Sequence, residues 1–291
     1  MARSKSLETQ TILRLAKETL ENEPGISLRR VHYLLCSNGE AKQIGYVNSK
    51  KQYDSLSKIC TDARKSGDLE YSLFSDSTRA IHRSVNWNNL ADFSEAVSKW
   101  YERSRWQDQG CYCELLYEKD GLTPVLREVA AQWQMTHRSL HGTASSTCCW
   151  KIAETFAEVP YDKPIHVLYF GDFDCAGEMI PSAMLSHVKD ILEKKFNTYR
   201  DINFHLLGFR HEDFEVCSIE SIEGKEDDKL LPAFIEKYGE ARFAEVDALP
   251  REILISRVNE KMRELVDLKK WEAHAEVEAI EKKQILQMLQ G

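Results

Sequence analysis

Apolar positions along the chain follow two rhythms, and these divide it. In the first third the spacing is helical. Ile12, Leu13, Leu15, Ala16 and Leu20 recur every three or four residues, which predicts a helix over residues 7–20 that Glu23-Pro24-Gly25 stops. Ser27 is placed to cap a second helix over residues 28–36, which ends near Ser37-Asn38-Gly39. After a loop, Tyr53, Leu56, Ile59, Cys60 and Ala63 share one side of a third helix over residues 49–65. Ser66-Gly67-Asp68 then turns into a strand over residues 69–74, and residues 87–106 read as a connecting helix and linker.

Further on the rhythm changes to short apolar runs. Residues 112–117 and 165–170 are such runs, and each stops at charged residues: Glu118-Lys119-Asp120-Gly121 after the first and Gly171-Asp172-Phe173-Asp174 after the second. A short apolar run ended by Gly reads as a buried parallel strand, and open α/β sheets receive their ligands at the carboxyl ends of such strands. Two neighbouring strand ends would project Glu118, Asp172 and Asp174 into one crevice. Three carboxylates that close cannot all stay ionised without a cation among them. All-oxygen ligation suits Mg²⁺ or Mn²⁺. Asp-x-Asp after a strand serves equally as an ordinary helix start, with acids capping free N–H groups.

Residues 202–207 form another strand candidate, and 232–238, 251–268 and 271–289 are helix candidates, the last a charged amphipathic tail suited to packing or dimerisation. The acidic segment 224–228 reads as a surface loop. Glu245 and Asp247 point the same way from an extended segment and are candidates for second-metal ligands or for a solvated acidic edge. His141-Gly142-Thr143-Ala144-Ser145-Ser146 would bring N–H groups and hydroxyls to a phosphate at a helix start, or simply cap a loop.

Composition narrows the class. At 291 residues, 42% hydrophobic and 30% charged, the chain can bury two cores. No apolar run approaches a membrane span and the polar start lacks a signal-peptide core, so a cytoplasmic protein away from the membrane is expected. The eight cysteines include no Cys-x-x-Cys pair, against both a zinc ribbon and a disulfide framework. Net charge is −8, but residues 1–105 carry 17 Lys and Arg against 13 Asp and Glu, a balance of +4, and the remainder carries −12. The amino-terminal third is therefore the natural face for a polyanion, through Lys50, Lys51, Lys58, Arg64 and Lys65 on the third helix, with a mildly basic solvated surface as the alternative. Helix, helix, basic helix and hairpin is the order of a winged helix.

An apolar strand, Gly171-Asp172-Phe173-Asp174, the small residues Cys175-Ala176-Gly177 and then a helix, all preceded by a strand ending in Glu118-Lys119-Asp120, resembles the Toprim domain of topoisomerases, primases and related nucleases. The order of domains resembles the topoisomerase VI A subunit, where a Toprim domain follows a winged helix, and Glu245-Val246-Asp247-Ala248-Leu249-Pro250 is similar to a bacterial and phage group of such proteins. The likeness covers residues 27–255, with specific motifs at Glu118, at Asp172 and Asp174 and at 245–250, and loose similarity between them. Leu28-Arg29-Arg30-Val31-His32-Tyr33 resembles the family's Arg-Asp-Ile-Tyr-Tyr stretch, whose last Tyr attacks DNA; Tyr33 falls there, while Arg30 replaces the family's Asp and His32 its preceding Tyr. Arg29 and Arg30 serve equally as phosphate clamps.

The resemblance implies an α/β fold with a Toprim-type parallel sheet flanked by helices, preceded by a helical winged-helix-like domain. Its domains would be 1–86, a linker at 87–110, a catalytic domain at 111–255 and a helical tail at 256–291. It implies a divalent-metal-dependent nucleic-acid phosphodiesterase, nicking or cleaving DNA ahead of RNA, in a phage-related or defence setting. Glu118 would be a general base or metal ligand, Asp172 and Asp174 metal ligands, and Lys119 the neutraliser of developing phosphate charge. The alternatives are a transesterase using Tyr33, or a non-catalytic nucleic-acid-binding assembly subunit. A homodimer is compatible with either. No Walker A sequence occurs, so any ATP-driven work needs a separate ATPase partner.

Overall fold

The computed structural model describes residues 6–74, 85–142, 144–177, 179–222 and 228–290. Four helices open the chain: α1 (Leu7–Asn22), α2 (Leu28–Ser37), the short α3 (Gly39–Gln43) and α4 (Lys50–Ser66). Ser6, Ser27, Asn38 and Ser49 each accept an N–H bond from the first turn that follows, which fixes all four starts. The helices close on Leu15, Leu20, Val31, Leu35, Leu56 and Cys60.

The strand expected over residues 69–74 is absent. Gly67 ends α4 in the left-handed region at φ 82°, Leu69 drops into the helical core, and Tyr71–Leu73 is a 3₁₀ turn. Phe74 makes one isolated bridge to Ile26, and the Arg64 guanidinium covers the Tyr71 and Phe74 rings at 5.5 and 4.6 Å. With its side chains committed to this packing, the segment forms no hairpin among the described residues. The connecting helix is α5 (Leu90–Trp100), shorter than expected, and extended chain follows it.

The sheet comes next, as β1 (Tyr112–Tyr117), α6 (Thr123–Gln132), β2 (Thr136–Ser139), α7 (Ser146–Glu158), β3 (Ile165–Phe170), α8 (Ile180–Phe196) and β4 (Ile202–Leu206). All pairings are parallel, in the order β2-β1-β3-β4. Alternation puts Leu115, Tyr117, Leu168 and Phe170 on one face, against α6, and Leu116, Val167 and Tyr169 on the other, against α7 and α8. The edge strand β2 is polar, and Arg138 on it donates to the fully buried Glu114 of β1 at 2.5 Å.

Short α9 (Asp213–Val216) and α10 (Leu231–Tyr238) precede α11 (Arg251–Leu265), which passes unbroken through residue 255, and α12 (Leu268–Gln290). Trp271 of α12 belongs to the main core, and Arg103 and Arg105 pair with Glu281 and Glu278, so the tail lies against the body. No helix among the described residues is long and apolar enough to cross a membrane. The acidic segment at 224–228 lies outside the described residues apart from Asp228.

Candidate functional site

Because β2 lies on one side of β1 and β3 on the other, the chain reverses its direction of winding between β1 and β3. A crevice opens at such a switch point, beyond the carboxyl ends of the two strands. Glu118 follows β1 and Asp172 follows β3, and they meet there: the Asp172 N–H donates to Glu118 Oε2 at 3.2 Å. Lys119 Nζ lies 2.7 Å from Asp172 Oδ2 and 3.6 Å from Glu245 Oε2. The other Asp172 oxygen accepts the Val246 N–H at 2.9 Å. Asp174 accepts the Gly177 N–H at 2.5 Å, closing the turn before α8. A Cβ on Gly177 would lie 2.3 Å from the Asp172 carbonyl, so only glycine allows this turn.

Burial sets the electrostatics. Desolvation, with the charge of Glu118 added, raises Asp172 to about 7 against the pull of Lys119 and the Val246 N–H. Burial also raises Glu118, against the hydrogen bond from Asp172. Burial opposes the charge on Lys119, but Asp172 and Glu245 outweigh it and hold the ammonium above its ordinary range. Asp247 is 3% exposed, and its Oδ1 is buried with no hydrogen-bond partner. Desolvation raises it to about 6, Arg30 opposing and Glu245 assisting.

The helical unit enters the same site through α2. Arg29, whose side chain is 62% exposed, donates to the Tyr33 hydroxyl at 3.1 and 3.2 Å and reaches Glu245 at 3.4 Å. Burial pushes the Tyr33 hydroxyl well above the ordinary phenol range, Glu245 adding to the shift and Arg29 opposing it.

Arg30 is not a phosphate clamp. It is 0% exposed and fully used: Nε and Nη2 donate to the two Glu23 oxygens at 2.8 and 3.2 Å, Nη1 to the Asp247 carbonyl at 3.1 Å and Nη2 to the Leu249 carbonyl at 3.2 Å. Apolar neighbours on either side of α2 turn it inward, which its residue type alone conceals. Arg64 is half-buried and donates to the Cys60 carbonyl, so it too is engaged within the fold. Lys50, Lys51, Lys58 and Lys65 are exposed, but Asp54 and Asp62 interleave with Lys51, Lys58 and Lys65 along that side of α4.

The donor set is all oxygen and has two buried atoms without hydrogen bonds, Glu245 Oε2 and Asp247 Oδ1, so its chemistry fits a hard divalent cation. Among the described residues no group of three or more His, Cys, Asp or Glu side chains stands ready around one point. Lys119 supplies the positive charge between Asp172 and Glu245, and Asp174 is turned to its own loop. The site residues that the sequence conceals are Val246, which acts through its N–H, and Arg30, which holds the two carbonyls beyond it. No protein-family model, no curated protein and no solved structure matches the chain.

Proposed function

We propose that the chain is a divalent-metal-dependent phosphodiesterase of nucleic acid, with DNA as the first candidate substrate. The observation that carries this reading is the meeting of Glu118, Asp172 and Lys119 at the sheet's switch point, with Asp174, Glu245 and Asp247 around them. Five carboxylates face two cations, Lys119 and Arg29, because Arg30 is matched by Glu23. That surplus needs protons or a metal.

Asp172, Glu118 and Glu245 would hold a Mg²⁺ or Mn²⁺ ion, with Asp174 and Asp247 beside them. Such an ion polarises a phosphate and lowers the pKa of a water. Lys119 would bring its ammonium to the phosphate oxygens and neutralise charge as it develops there. Glu118, its pKa raised by burial, would take the proton of the attacking water where it does not itself hold the ion. The eight free cysteines suit a reducing cytoplasm.

The test is incubation of the purified chain with supercoiled plasmid and with structured RNA, in Mg²⁺, Mn²⁺ or EDTA. Metal-dependent cleavage is expected, lost in Asp172→Ala, Asp174→Ala and Glu118→Gln while nucleic-acid binding persists. Cleavage by all three variants at the parent's rate would eliminate the site; binding without cleavage in any metal favours the assembly-subunit reading.

One observation favours the Tyr33 transesterase: the phenol stands beside Glu245 within the same chain. Its raised pKa weighs the other way, since nucleophilic attack needs an activated hydroxyl. That reading would also need a separate ATPase partner.

A further inference from the structure

Two cavities lie where the helical unit faces the loops beyond the sheet, and the larger shares Glu245 with the acid cluster. The larger, about 550 Å³, is walled by Val47 and Lys50 on one side and by Ile219, Ser221, Ala244 and Glu245 on the other. The smaller, about 380 Å³, is lined by Arg29, His32, Tyr53 and Asp54. Both are lined by Tyr33, Asn48, Ser49 and Lys50, so they form one cleft. Lys42 pairs with Glu220 of the larger cavity's lining, its Nζ 3.0 Å from that carboxylate and 3.1 Å from the Ser218 carbonyl. The larger cavity reaches Glu245, and through it the row Glu245, Lys119, Asp172.

The lining combines what a polynucleotide strand needs. Tyr53 presents a half-buried ring held edge-on by His32 at 5.6 Å, and the Arg29 guanidinium lies over the Tyr33 ring at 5.7 Å. A ring and a guanidinium plane are the surfaces on which bases stack. Lys50 is exposed and makes no ion pair among the described residues, and Ser49 caps the N–H of Gln52, leaving the Lys50 and Lys51 N–H groups at the start of α4 for an anion. Of the acids at the rim, Glu220 is matched by Lys42, and Asp54 lines the smaller cavity together with Lys50 and Arg29. Walls on both sides leave room of the size that takes a small molecule, whereas a duplex presents a major groove alone ~12 Å wide.

We infer that this cleft is the bed of a single, unpaired nucleic-acid strand, whose bases stack on Tyr53 and Arg29 and whose phosphates follow Lys50 toward Glu245. The inference rests on the nucleic-acid reading above and deepens it, naming the substrate as a strand without its complement. Bases recognised through their faces and phosphates through amides and ammonium groups are common to DNA and RNA.

Fluorescence anisotropy of the full chain in EDTA tests it, with a labelled thymidine oligonucleotide, its uridine counterpart and a duplex of the same length. Binding is read without cleavage, so the result stands whether or not the acids are catalytic. The single strands are expected to bind ~10-fold or more tightly than the duplex, the two sugars distinguishing DNA from RNA. Tyr53→Ala should weaken single-strand binding ~5-fold or more, one stacked base being lost. Val47 is 50% exposed at the cleft wall, so Val47→Glu adds a negative charge there without touching a core and should weaken binding similarly. A duplex bound as tightly as the single strands, or single-strand binding unchanged in Val47→Glu, overturns the proposal, whereas cleft-dependent binding with no cleavage in any metal overturns only the phosphodiesterase.

Discussion

Replacing Arg30 by Met removes the buried side chain that ties the helical unit to the loop holding Asp172. The guanidinium is wholly buried and makes four hydrogen bonds, two to Glu23 and two to the carbonyls of Asp247 and Leu249. Met fills much of the volume, so the cost is electrostatic: a buried carboxylate loses its partner and two carbonyls lose their donor. Breaking a buried ion pair from one side costs about 3–5 kcal/mol, and each stranded carbonyl adds to this less than additively. At ~2–4 °C per kcal/mol, the melting temperature should fall by roughly 6–20 °C. Adding Glu23→Leu should recover much of the loss, because an apolar pair replaces the ionic one, though not all of it, since the carbonyls remain unpaired. Scanning calorimetry on the parent, both single variants and the double variant supplies the cycle. A melting point for Arg30→Met within about 2 °C of the parent would refute the reasoning, since it implies less than ~1 kcal/mol.

The other expectations are shorter. Tyr33→Phe should keep metal-dependent cleavage, and denaturing gels should show no protein attached to nucleic acid; an adduct that forms with the parent and vanishes in this variant establishes the transesterase. Asp172 and Asp247, at about 7 and about 6, hold protons more tightly folded than unfolded, where a carboxyl titrates near ~3.9. Their contribution is therefore complete below the unfolded value and lost as pH rises through 6 and 7, so melting temperature should fall between about pH 5 and pH 8, less steeply in Asp172→Asn. A melting temperature that rises across that range, with the parent steeper than the variant, contradicts the assignment. Reversing Lys51, Lys58 and Lys65 to Glu should reduce the log–log salt slope of duplex binding by about 0.9 for each phosphate that the helix no longer neutralises; an unchanged slope shows that this side of α4 does not touch phosphates.

Much of this arrangement is legible in the sequence, and the remainder is hidden for identifiable reasons. The strands 112–117 and 165–170 emerge with the bounds expected, because both are apolar runs cut off by charge. Glu118 and Asp172 meet because those strands are neighbours. By contrast, β2 reads Thr-His-Arg-Ser and carries no apolar signal; it is a strand because Arg138 finds Glu114 across the ladder. The strand expected at 69–74 fails in the opposite way, its aromatic residues serving as a platform for Arg64. Arg30 exposes the general limit, since a charge reads as surface until the partners that bury it, here Glu23 and two carbonyls more than two hundred residues away, are known.

Distance along the chain also orders events in time. The helices α1, α2 and α4 pack on one another within the first third, and local structure of that kind forms quickly. Glu118 meets Asp172 across 54 residues of parallel pairing, and Arg30 reaches Leu249 across 219. Loop closure of that length is slow, and synthesis runs from the amino terminus. The helical unit is thus complete on the growing chain while the acids are still scattered. Residues 245–249 are the last of these to be made, and only then can they dock on α2 and the Val246 N–H reach Asp172.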